Sequence, residues 1–164
     1  MGDWIPVVSL DSLPSRDKTL FNGLVGRLDF SEGRDKQVAA VAIAEDGSVH
    51  HGVNVDVSGQ STSQCAEQSA MFAADSKGKY GSLVALLYVT RNRNPEREVP
   101  TDVDPSCGPC HQVFADVSRR SGSGETFLVT AGLVVGEEII VVRRGLLPLH
   151  LRRLYVGSVM HESE

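Results

Sequence analysis

Cys65-Ala66-Glu67 and Cys107-Gly108-Pro109-Cys110 contain all three cysteines of this 164-residue chain, and each stretch reads as the start of a helix. After Cys65, the residues Ala66, Ala70, Met71, Ala73 and Ala74 have high helix propensity, and Lys77-Gly78 ends the run. After Cys107, Pro109 fits an early helical position, while Val113, Phe114 and Val117 share one face as far as about Arg119. Between them, residues 83 to 90 (LVALLYVT) form the apolar, β-rich run of a buried strand. A helix, a buried strand and a second helix, with cysteines at both helix starts, make the centre of the fold.

The flanks extend this pattern. Residues 1 to 15 carry two prolines and little periodicity and are expected to be an irregular extension, with residues 16 to 164 forming a single domain. Leu20, Phe21, Leu24, Val25 and Leu28 are spaced as on a helix over residues 15 to 30, with Ser15 as its N-cap. Residues 37 to 44 (QVAAVAIA) and 49 to 57 read as a hairpin turning at Asp46-Gly47. Residues 58 to 64 are a polar loop in which Ser61, Thr62 or Ser63 can cap the following helix. Residues 91 to 105 are loop-like. Strands are expected at 126 to 133 and 138 to 143, and a short terminal helix from Leu146-Leu147-Pro148 onward. This order describes an α/β protein: a three-layer α/β/α sandwich with a mixed five-stranded sheet and helices on both faces.

The formal net charge of −5 (16 Lys and Arg against 21 Asp and Glu) argues against a polyanion-binding surface, because nucleic-acid affinity leans on cations that neutralise phosphates. It leaves room for a small nucleoside. No apolar run has the length needed to span a bilayer, and Met1-Gly2-Asp3-Trp4 lacks the basic-then-apolar layout of a signal peptide. Three cysteines without a paired framework suit a reducing compartment, so the expected location is cytoplasmic.

Three thiolates bind Zn²⁺ and leave its fourth tetrahedral position open, as in a catalytic rather than a closed structural site. Glu67, two residues beyond the first ligand, can reach a water in that position. A structural zinc would have no use for this carboxylate, which weighs against buried free thiols or a purely structural metal. Asn54 and Asp56 share one face of their strand because side chains alternate; the plainer reading is a polar strand edge. His50 and His51 read as surface residues of the hairpin, and His111 either as a donor to a thiolate or as an ordinary helix residue. The basic pairs Arg143-Arg144 and Arg152-Arg153 read as solvated or as subunit contacts.

With these residues in place, the chain resembles the cytidine deaminase family over roughly residues 38 to 151. Cys65-Ala66-Glu67 matches that family's C-A-E, and Cys107-Gly108-Pro109-Cys110 with Gln112 is similar to its P-C-G-x-C-R-Q. Gly52-Val53-Asn54-Val55-Asp56 is similar to G-x-N-x-E, and Leu146-Leu147-Pro148 to a C-terminal L-L-P. The resemblance implies Zn²⁺ on Cys65, Cys107 and Cys110, with Glu67 as the catalytic proton shuttle while zinc hydroxide attacks C4 of a cytidine-like nucleoside. It further implies that Asn54 and Asp56 bind the sugar hydroxyls, that backbone N–H groups around Ala66 face the base, and that the Ser106 carbonyl accepts from the exocyclic amine. A homotetramer or homodimer follows from the same resemblance.

The chain departs from the family at several points. Lys36-Gln37-Val38-Ala39 stands where the family has F-P-V-G, and Leu151 where an aromatic usually follows L-L-P. Asp56 replaces Glu, Gln68 and His111 replace arginines, and Pro105 lies one residue further from Cys107 than usual. Phe30 or Phe114 could replace the missing aromatics. Blasticidin-S-type deaminases share the G-V-N-V wording and also lack the upstream Phe, so a modified or antibiotic cytosine nucleoside is an alternative substrate. From another class, the alternative is a non-catalytic, zinc-stabilised nucleoside-binding protein.

Overall fold

The computed structural model describes residues 5–57, 63–94, 96, 100–103, 107–122 and 126–146. Ser106, Leu147, Pro148 and Leu151, together with the expected terminal helix, lie outside these residues. The elements in chain order are β1 (Val7–Val8), α1 (Ser15–Arg27), β2 (Lys36–Ala44), β3 (Val49–Val53), α2 (Ala66–Asp75), β4 (Leu83–Asn92), α3 (Gly108–Ser121), β5 (Leu128–Val135) and β6 (Glu138–Leu146). The strands form one mixed sheet in the order β1-β6-β5-β4-β2-β3. The β4–β5 pair is parallel, and the other neighbours are antiparallel.

Six strands stand where five were expected. The additional one, β1, pairs Val7 with Arg143 and Val8 with Val142 of β6. A two-residue strand carries no alternation to read, and its partner lies at the other end of the chain.

Both faces of the sheet are covered, which explains the unbroken apolar runs in β2 and β4. On one face Ala40, Ala42, Ala44, Leu86 and Tyr88 pack with residues of α2 and α3. On the other, Ala39, Val41, Ile43, Leu87 and Val89 pack under Phe21, Leu24 and Leu28. α1 approaches closely because β5 has Gly132 beneath it; a Cβ there would lie 2.4 Å from Phe21 Cζ. The hairpin turn holds Gly47 at φ 84, in the left-handed region that glycine adopts without strain. Ser15 is the first residue of α1 rather than its N-cap, which is Pro14. α2 and α3 instead begin on Cys65 and Cys107 themselves as N-caps.

The arginine pair on β6 is turned inward and takes part in the packing. Arg144 Nη2 donates to the buried Asp17 of α1 at 2.8 Å. Arg143 forms a two-pronged contact with Asp102, at 2.8 Å to Oδ1 and 2.7 Å to Oδ2, and donates to Ile5 O at 2.6 Å. Asp102 Oδ1 also accepts from Val103 N at 2.8 Å, and Val103 is buried in the same core as Cys110. This contact anchors the segment that leads to Cys107. Asp102→Ala is therefore expected to cost about 1–2 kcal/mol, since charge-assisted paired hydrogen bonds exceed neutral ones. A urea-unfolding midpoint measures it, and a midpoint equal to wild type would show the contact to be inert.

Candidate metal and active site

The two helix starts meet above the sheet. Cys65 Sγ lies 3.4 Å from Cys107 Sγ, and Cys107 Sγ lies 3.3 Å from Cys110 Sγ. All three sulfurs fall within 4.8 Å of one another. Zn–S bonds of about 2.3 Å at tetrahedral angles place sulfurs about 3.8 Å apart, so this set fits a Zn²⁺ ion with one position open. Cys110 is buried, Cys65 is half-buried and Cys107 is exposed.

Cys65 and Cys107 each occupy an N-cap position, where the helix dipole favours a thiolate. In α2 the first intrahelical bond runs from Ser69 N to Cys65 O at 3.0 Å. The N–H groups of Ala66, Glu67 and Gln68 precede it and have no intrahelical acceptor. Glu67, in the first turn of α2, is only 6% exposed. Its neighbour Gln68 accepts from Gln64 Nε2 at 3.3 Å.

A cavity of about 270 Å³ opens beside the thiols. Cys65, Ala66, Glu67 and Cys107 line one side, Val38, Tyr88 and Thr90 the sheet side, and Lys36, Asn54, Asp56, Ser63 and Gln64 the remainder. The structure thus brings Asn54, Asp56, Ala66 and Glu67 to the same space as the thiols. Asn54 is largely committed to the backbone. Its Oδ1 accepts from Val38 N at 2.8 Å and from Ser31 Oγ, and its Nδ2 donates to Lys36 O at 2.8 Å. One Nδ2 hydrogen remains beyond those contacts. Asp56 Oδ2 accepts from Arg34 N at 2.8 Å.

A family model for the cytidine and deoxycytidylate deaminase zinc-binding region matches residues 24–130. The chain belongs to this family. Among relatives, the cytidine deaminase of Sporosarcina psychrophila is 40% identical over 84 residues, which are 51% of this chain and 55% of that protein. The cytidine deaminase of Halalkalibacterium halodurans is 35% identical over 81 residues, 49% of this chain and 54% of that protein. The chain thus spans about half the length of the curated relatives it matches. The crystal structure of cytidine deaminase from Burkholderia pseudomallei superposes with a TM-score of 0.64 at 22% identity, covering 84% of this chain and 96% of that one. The structure from Bacillus anthracis gives a TM-score of 0.54 at 20% identity, covering 90% and 98%. At such identities these two likenesses establish the fold.

The remaining candidates from sequence lie elsewhere. Phe30 is 72% exposed, and Phe114 is buried in the core 6.5 Å from the Phe127 ring, so neither lines the cavity. His50 and His51 sit half-buried on β3, outside the thiol cluster. His111 is buried in α3 with its ring 5.8 Å from that of Phe114, and burial pushes its pKa down. Tyr88 and Thr90 escaped notice in the sequence because they lie within an apolar strand run that reads as core throughout.

Three thiols this close cannot all ionise unaided. Hydrogen bonds from Cys110 and Cys65 pull Cys107 down to about 2. The same sharing with Cys107 pushes Cys65 up to about 12 and raises Cys110 as well. Thiol protons are therefore held at the site, and an incoming Zn²⁺ must displace them. Proton competition then weakens binding as pH falls. Competition with a metal indicator between about pH 8 and 6 measures this, and an affinity unchanged across that range would mean that no proton is displaced.

Proposed function

We propose that this protein catalyses the hydrolytic deamination of a cytidine-like nucleoside, releasing ammonia. The observation that carries the reading is the cluster of Cys65, Cys107 and Cys110 beside one cavity that is lined by Glu67 and Asp56. When bound by the three thiolates, Zn²⁺ would supply the Lewis acidity that makes water a nucleophile near neutral pH. The chain's own groups do the rest.

Glu67 takes a proton from the attacking water and delivers it to ring N3. It then transfers the second water proton to the amine as the C4–N bond breaks, so cytidine and water become uridine and ammonia. Burial of Glu67 keeps the proton relay out of bulk water, and the N–H groups at the start of α2 would support the developing charge. The Asp56 carboxylate suits a sugar hydroxyl, with the remaining Nδ2 hydrogen of Asn54 beside it. Among the described residues, no helix is long and apolar enough to cross a membrane.

The direct test is ammonia release from zinc-loaded protein. Cytidine, deoxycytidine and their monophosphates are offered beside guanine, adenosine and cytosine-antibiotic nucleosides. Turnover of cytidine or deoxycytidine is the expected outcome. Turnover confined to an antibiotic nucleoside would move the substrate assignment, and none with any of them would overturn the enzymatic reading.

A further inference from the structure

The sheet side of the cavity is built from an unexpected strand. At the start of β2, Lys36 stands where the family's pattern has an aromatic, and neither Phe30 nor Phe114 lines the cavity. Among the described residues, the aromatic in the lining is Tyr88, from β4. Thr90 lies two residues further along the same face of that strand. Across the sheet, Tyr88 is paired with Ala40 and Thr90 with Val38, so small and medium side chains of β2 leave the opening to β4.

Thr90 is only 7% exposed, yet it lines the cavity. Its hydroxyl has no hydrogen-bond partner among the described residues. The hydroxyl is not among the fully buried unsatisfied atoms, so it opens to the cavity and is available to a ligand. At about 270 Å³ the cavity is close in size to ordinary ligand pockets, about 300–1,000 Å³.

We propose that β4 forms the base-holding surface, with the Tyr88 ring as an apolar wall and the Thr90 hydroxyl as hydrogen-bond partner to a polar edge of the nucleobase. This rests on the nucleoside reading above and adds which residues choose the base. Thr90 is a substrate-binding residue, not a proton carrier.

Thr90→Val keeps the shape and removes the hydroxyl; Thr90→Ser keeps the hydroxyl. For Thr90→Val, kcat/KM with cytidine should fall about tenfold, and calorimetric affinity for the product uridine should fall by a similar factor. Zinc content and the thermal midpoint should be unchanged, because the hydroxyl has no hydrogen-bond partner among the described residues. Thr90→Ser should retain most of both activities. A Thr90→Val protein within twofold of wild type on both readouts would overturn the assignment. Wild-type protein that neither binds uridine nor turns over cytidine would instead remove the nucleoside reading on which the inference stands.

Discussion

Glu67→Gln is expected to lower ammonia release by about 10²–10⁴-fold, the range associated with a positioned general acid–base, while leaving fold and metal in place. Glutamine has nearly the same shape but cannot take up and pass on a proton. The substitution conserves volume at a buried position, so the fold should be retained. Its effect on the metal is expected to be small. The Glu67 carboxylate helps to raise the thiol pKa of both Cys65 and Cys110. The same negative charge attracts a divalent ion, so its removal acts on protons and metal in opposite senses and zinc should be retained. Metal analysis, a thermal melt and the ammonia assay on one preparation separate the three statements. Undiminished turnover by a zinc-replete Glu67→Gln protein would falsify the proton-shuttle role.

Much of the frame was legible in the sequence because local rules and tertiary packing agree there. The Asp46-Gly47 turn joins β2 and β3 as the pattern requires, and both cysteine stretches do start helices. What could not be read has physical causes. β3 was expected to run to Val57 but stops at Val53. There the Asn54 side chain takes the Val38 N–H that a continued ladder would give to a backbone carbonyl. No periodicity reports such a substitution. Arg143 and Arg144 looked like surface charge because composition cannot show that Asp102 and Asp17 wait on neighbouring elements. Tyr88 and Thr90 were hidden for the opposite reason: they belong to a run that is apolar almost throughout, and only the placement of α2 shows where the sheet face opens into a cavity.

That placement depends on Gly52, and Gly52→Ala is expected to disturb the metal ligand and the proton carrier together. Gly52 lies on β3 against α2. A Cβ there would come within 2.4 Å of Ala70 N, 2.6 Å of Ala66 O and 2.6 Å of Ser69 Cβ. Two of these atoms are backbone and cannot rotate away, so the helix itself must shift. α2 begins at Cys65 and carries Glu67 in its first turn, so a displacement at Ala66 moves a metal ligand and the proton carrier together. Overpacking of this kind costs about 1–3 kcal/mol, and a misplacement of about 1 Å at reacting groups costs about 10²-fold in rate. Gly52→Ala should therefore show a lower urea midpoint, weaker zinc binding and a kcat reduced well beyond what the stability loss explains. Gly81→Ala is the matched control, because nothing lies within 4 Å of a Cβ at that position. Wild-type zinc affinity and kcat in Gly52→Ala would mean that α2 reaches its position without the close approach to β3, and that the geometry of the thiol cluster is set from the α3 side alone.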